Sequence, residues 1–164
     1  MTIDRSDQAR LAFLLRVIQK EITHLEYAAT QVFDQPFTAE RAQTLEEDKG
    51  LALKVEAFSS RFCRLQDTLG DKLLPAWLSA MGEAAAALLT NLDKAEKFGW
   101  LESADTWVML RQLRNQMVHE YIENPQLLSD ALQTAHAHLG FVKAFAATLS
   151  KTIQSSLIKP SRTN

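Results

Sequence analysis

The chain has 164 residues, enough for one domain with a sizeable core, with 46% apolar and 23% charged residues. A formal net charge of −2 excludes a protein that coats long nucleic acid through a basic excess, and leaves open a small site touching a few phosphates. One cysteine, Cys63, excludes a disulfide framework within the chain, and no apolar run approaches the roughly 20 residues that span a bilayer. The N-terminus carries no signal-peptide pattern, so a cytoplasmic, membrane-free location is expected.

In chain order, residues 7–33 read as one long helix, with Ile18, Ile22, Leu25, Ala29 and Phe33 at three-to-four spacing. "DQPFTAERA" breaks it. Pro36 restricts Gln35, and Thr38 fits an N-cap whose capping box is incomplete, because Arg41 and not Glu stands three residues on. Residues 40–67 continue as helix on a stripe of Leu51, Val55, Phe58, Phe62 and Leu65, with Gly50 as the candidate bend or break. Cys63 falls within this pattern and is expected in or near the core. Gly70 and Pro75 punctuate the next stretch, which reads as a short helix or a continuation kinked at Pro75.

"GEAAAALLTNLDKAEKFG", residues 82–99, reads as another helix that ends on Gly99 in the C′ position, with Lys94 and Lys97 where the dipole favours cations. Asp105 or Ser103 then caps a helix running to Tyr121. Asn124 caps, and Pro125 opens, a last helix closing near Ser155. The expected architecture is all-α, an up-and-down bundle of four to six helices, with a single domain over 1–155 and a flexible tail over 156–164.

"LRNQMVHEY", residues 113–121, stands out. At about 100° per residue with Leu110 as zero, Trp107 falls at about 60°, Arg114 at about 40° and Tyr121 at about 20°, while Asn115 and His119 lie at about 140° and 180°. Arg114 thus sits in the apolar sector and needs a partner or a water-filled recess. Arg111, at about 100°, can flank a cleft and contact a phosphate. Plainer roles compete. Arg114 can pair with Glu83, Glu102 or another carboxylate. His119 can be a solvated residue near a helix C-terminus, and Tyr121 a core tyrosine. His24, His136 and His138 show no metal-ligand spacing. The chain has no HExxH, zinc-ligand cysteine pair, P-loop or dinucleotide-binding glycine pattern, so no metal or cofactor is expected. Arginine plus histidine without a metal is chemistry suited to RNA cleavage: a histidine moves protons and an arginine stabilises charge at phosphorus.

The stretch "RNQMVHEY" resembles the R-x4-H signature of the HEPN superfamily in its fuller form R-N-x-x-x-H-x-Y. With its lead-in, "KFGWLESADTWVMLRQLRNQMVHEY" is similar to the small bacterial HEPN proteins that accompany a minimal nucleotidyltransferase. That group holds HepT-type toxins and relatives described as nucleotidyltransferase substrate-binding proteins. The similarity covers most of the chain as an all-helical bundle, and its specific part is residues 98–121. It implies a HEPN-like homodimer with the motif along the two-fold joint. It implies a metal-independent endoribonuclease with Arg114 and His119 catalytic, Asn115 supporting, and Tyr121 the tyrosine that a cognate nucleotidyltransferase antitoxin modifies with AMP. RNA is the implied substrate, and the need for a 2′-hydroxyl excludes DNA. A non-catalytic binding partner of a small nucleotidyltransferase is the alternative.

Overall fold

The computed structural model describes residues 2–118 and 123–157. Among these the chain is all-helical, with no strand, and forms a helical bundle. Helix α1 spans Arg5–Val32, α2 Ala39–Gln43, α3 Lys49–Asp67, α4 Leu74–Ala80, α5 Leu88–Lys97, α6 Ala104–Val118, α7 Pro125–Ala137 and α8 Leu139–Leu157.

Several ends form as their local chemistry dictates. The Thr38 hydroxyl accepts from the Arg41 N–H at 3.2 Å, and Arg41 itself takes the place of the missing Glu. Its guanidinium donates to the Val32 carbonyl, to the Gln35 carbonyl at 2.9 Å and to Asp34 at 2.8 Å, closing the turn between α1 and α2. Ser103, rather than Asp105, caps α6 by accepting from the Thr106 N–H at 3.1 Å. Asn124 caps α7 through the Leu127 N–H, also at 3.1 Å. Gly99 takes φ +77. The Trp100 N–H reaches the Ala95 carbonyl and the Gly99 N–H the Glu96 carbonyl, at 2.9 and 3.0 Å, the paired bonds that satisfy the last carbonyls of a helix.

Three expected helices come out differently. The run 40–67 is not one helix. It breaks at Glu47–Asp48 after a 3₁₀ turn, Thr44–Glu46, because the Asp48 carboxylate accepts from the Leu51 N–H and starts α3 afresh. Gly50, the expected break, lies inside α3. The helix expected over 82–99 begins only at Leu88, and Ala84–Ala87 are non-helical and exposed. Gly82, at φ +86, ends α4 with the same pair of bonds seen at Gly99, from Glu83 N–H to Leu78 and from Gly82 N–H to Ser79. Four exposed alanines bury no large apolar side chain that would anchor a turn, and packing rather than propensity decides short helices. The last expected helix is two. His138 sits at φ −104 and ψ 10 with its ring Nδ1 2.8 Å from the Thr134 carbonyl. The bend lets α7 pack on α2 and α6 while α8 packs on α1, where Lys143 meets Glu26 at 2.6 Å. A straight rod would bury one of those faces and strand the other. Helix α8 continues through Leu157, two residues past the expected end.

Helices α3 and α4 are joined without a loop by a π-turn, Thr68–Leu73, in which the Leu74 N–H reaches back to the Leu69 carbonyl. Pro75, in the first turn of α4, supplies no N–H. Gly70 gives the room this turn needs. A Cβ there would stand 3.3 Å from Trp107 Nε1. Trp107 is fully buried, edge-on to Phe145 at 5.0 Å between ring centres. Its carbonyl accepts from the buried Gln66 amide at 3.5 Å. That indole and that amide fix α6 against α3, and the position of everything on the last turns of α6 follows.

Candidate functional site

Along α3, Asp67 and Asp71 just beyond it stand four residues apart. Along α6, Arg111 and Arg114 stand three apart. They meet as a ladder: Arg114 Nη1 donates to Asp67 at 3.0 Å, and Arg111 Nη1 donates to both Asp71 oxygens at 3.1 and 3.4 Å. The higher residue on one side pairs with the lower on the other, so the two strips run antiparallel. Both bridges are open to water, with the Arg114 side chain 51% exposed. Such pairs each contribute about 0–1 kcal/mol to stability, so the ladder aims the guanidiniums more than it holds the fold together.

The apolar-sector position of Arg114 thus leads to a carboxylate partner and a recess, and not to burial. The guanidinium is not buried, because the angle that puts it on the inner face of α6 points it into a groove and not into the core. Its partner is Asp67, whereas Glu83 pairs with Lys94 at 3.2 Å. The Asp67 hydrogen bond and charge raise the Arg114 pKa further, so the group is a permanent cation. Arg111 faces Asp71 with its side chain 38% exposed. Asn115 is exposed on the next position of α6. His119 and Tyr121 lie outside the described residues, as does the expected tail beyond Leu157.

The groove beside Arg114 has a volume of about 600 Å³ and lies between α3 and the end of α6. Cys63, Met117 and Val118 give it apolar lining, with Ser59 and Ser60 on the α3 side. Burial pushes the Cys63 thiol pKa up, against the opposing pull of the nearby Arg114 charge. The sulfur therefore stays protonated and is a wall, not a nucleophile. Among the other histidines, His136 stacks on Phe33 with ring centres 3.9 Å apart, and desolvation lowers its pKa. It is a packing residue. No group of three potential metal ligands occurs among the described residues.

The structure thus brings together Arg114 and Arg111 from the sequence reading and adds Asp67, Asp71, Ser59 and Arg64, while Asn115 is exposed on α6 outside the groove lining. The Asp67–Asp71 and Arg111–Arg114 spacings were visible signals, since each puts two like charges on one helical face. Nothing local pairs one strip with the other. Comparison with protein-family models, with curated proteins and with solved structures gives no significant match.

Proposed function

We propose that the chain is the HEPN-type member of a pair with a minimal nucleotidyltransferase, a toxin-type endoribonuclease that works without a metal. The observation that carries this reading is Arg114. It opens the R-N-x-x-x-H-x-Y pattern, and its aimed guanidinium stands half exposed on the last turns of α6 beside an open groove. In the proposed reaction His119 accepts the proton of the 2′-hydroxyl as that oxygen bonds to phosphorus. The bond from phosphorus to the 5′-oxygen breaks, and that oxygen leaves as a hydroxyl after taking a proton. Arg114 stabilises the negative charge that builds on the non-bridging oxygens. The products are a 2′,3′-cyclic phosphate and a 5′-hydroxyl. Asn115 orients the groups, Arg111 flanks the path of the phosphates, and Tyr121 accepts AMP from the antitoxin.

A second reading is a non-catalytic binding partner of the nucleotidyltransferase. The ladder favours it, because Asp67 and Asp71 already neutralise the two arginines that a phosphate would use. One experiment separates the two. Purified wild type, Arg114→Ala and His119→Ala are incubated with single-stranded and structured RNA in excess EDTA, and product ends are read. Cleavage to cyclic-phosphate ends by wild type, slowed about 10²–10⁴-fold by His119→Ala and about 10²–10³-fold by Arg114→Ala, supports the ribonuclease. Cleavage that EDTA abolishes, or that all three share equally, rejects it. No cleavage alongside tight nucleotidyltransferase binding supports the second reading.

A further inference from the structure

The α3–α6 groove carries more than the catalytic arginine needs. Glu56, Ser59, Ser60, Cys63, Arg64 and Asp67 line it from α3. Their spacing follows one helical face over three turns, about 16 Å of length. Because α6 runs antiparallel to this face, Arg114 and Arg64 stand toward one end and Glu56 toward the other, with Cys63, Met117 and Val118 between. The groove therefore has a cationic end, an apolar middle and an acidic far end.

Two features are unexplained by packing. Ser59 is only 3% exposed, yet its hydroxyl makes no hydrogen bond among the described residues. A serine within a helix ordinarily satisfies itself on a carbonyl one turn back, and an orphaned buried hydroxyl is costly. Arg64 and Glu56 are exposed, and neither is ion-paired among the described residues. Arg64 thus has no close ion pair of the kind that holds Arg111 and Arg114, although its charge also reaches Glu21.

We propose that this groove is a nucleobase pocket. It would receive one unpaired base of single-stranded RNA next to the phosphate on Arg114, and prefer bases that carry an exocyclic amino group over uracil, whose one ring N–H lies between two carbonyl oxygens that a carboxylate repels. The proposal rests on the ribonuclease reading for the identity of the strand. The apolar middle packs on the ring face, where stacking and sulfur contacts tolerate any base. Arg64 takes a neighbouring phosphate. The Ser59 hydroxyl, closed to water in the groove as it stands, meets the base edge once the Cys63 and Met117 side chains of the wall yield to the ring. Glu56 accepts hydrogen bonds only, so it selects amino-bearing bases. Guanine, with adjacent ring N–H and amino donors, meets a carboxylate with two parallel bonds and is preferred most. The motif supplies phosphate chemistry, and this face would supply the reading of sequence.

The test uses the full chain and fluorescein-labelled 2′-O-methyl hexanucleotides of uridine in which one internal position is G, A, C or U. The methyl group blocks cleavage, so anisotropy reads binding alone. Wild type is expected to bind the G, A and C oligomers severalfold more tightly than all-U, and Glu56→Gln to erase that preference. Ser59→Ala should weaken all four about 3- to 10-fold while Tm holds or rises, since it removes an unsatisfied buried group. Arg64→Gln should weaken all four and reduce the salt slope by about 0.7. Wild type that binds none of the oligomers, or binding that Ser59→Ala and Glu56→Gln leave unchanged, overturns the pocket. Cleavage of unmodified RNA, scored in parallel, separates the two ideas. Cutting without any effect of the groove variants rejects only the pocket, and variant-sensitive binding without cutting rejects only the ribonuclease.

Discussion

Asp67 gives a partner to Arg114 at 3.0 Å without burying it, and the bond has a cost and a use. It lowers the guanidinium's attraction for phosphate, and it removes rotamer freedom that binding would otherwise have to remove. Asp67→Asn tests which dominates. The amide oxygen still accepts from Arg114, so the aim survives while the neutralising charge goes. On the proposed function, binding to a 2′-O-methyl oligonucleotide should tighten in Asp67→Asn and weaken in Asp67→Ala, with Tm shifts equivalent to less than about 1 kcal/mol. Equal affinity in both variants counts against a phosphate-facing Arg114. Glu21 offers a prediction of a different kind. It accepts from the Thr68 hydroxyl at 3.0 Å, its other oxygen is buried without a partner, and burial raises its pKa above the ordinary 4.5. The folded state then holds this proton more tightly than the unfolded chain does. Stability is gained as pH falls through the window between the raised value and 4.5, and is lost as pH rises through it. Glu21→Gln should therefore raise Tm at neutral pH, with the gain shrinking in acid. A constant gain across pH would show that Glu21 titrates normally.

At the scale of elements, what was legible in the sequence is what local chemistry decides. Thr38, Ser103 and Asn124 each cap with their own side chain, and Gly99 turns left-handed within three residues of the carbonyls it satisfies. Each needs only a few neighbouring positions. The start of α5, the His138 bend and the Asp67–Arg114 pair needed knowledge of what lies opposite. The alanine run has the composition of a helix, yet the next side chains that bury are Asn91, Leu92 and Ala95, well beyond it. The last two helices share one apolar periodicity, yet serve two different neighbours. In the site, Arg114 and Arg111 were legible as residues, but their depth was not, because a helical wheel gives direction and not what stands in that direction. Asn124 makes the cap of α7 directly testable, and α7 packs on α6, the helix that carries the motif. Asn124→Ala should cost about 1 kcal/mol, a fall in Tm of about 2–4 °C for a chain this size. Asn124→Asp should restore most of it. If Ala and Asp behave alike, the cap is not what starts α7.

The whole molecule is a single-chain bundle with a formal charge of −2, and on the proposed function two copies complete one cleft. The joint would run along the end of α6, where Val118 is 46% exposed. Light scattering at micromolar concentration should give about twice the 18.4 kDa chain mass. A monomer at that concentration would remove the two-fold cleft. The glycine stop at Gly82 has a further consequence for the molecule as a whole. It leaves Ala84–Ala87 as a non-helical strap open to solvent, and a protease needs an accessible, unwound segment to lie in its cleft. First cutting by elastase, which favours small side chains, should fall there. The two halves would stay together, since Trp107 from the second is clasped by Gly70 and Gln66 from the first. The chain can thus be divided into two complementary pieces at this strap, and co-expression of residues 1–85 and 86–164 should rebuild the bundle from its parts.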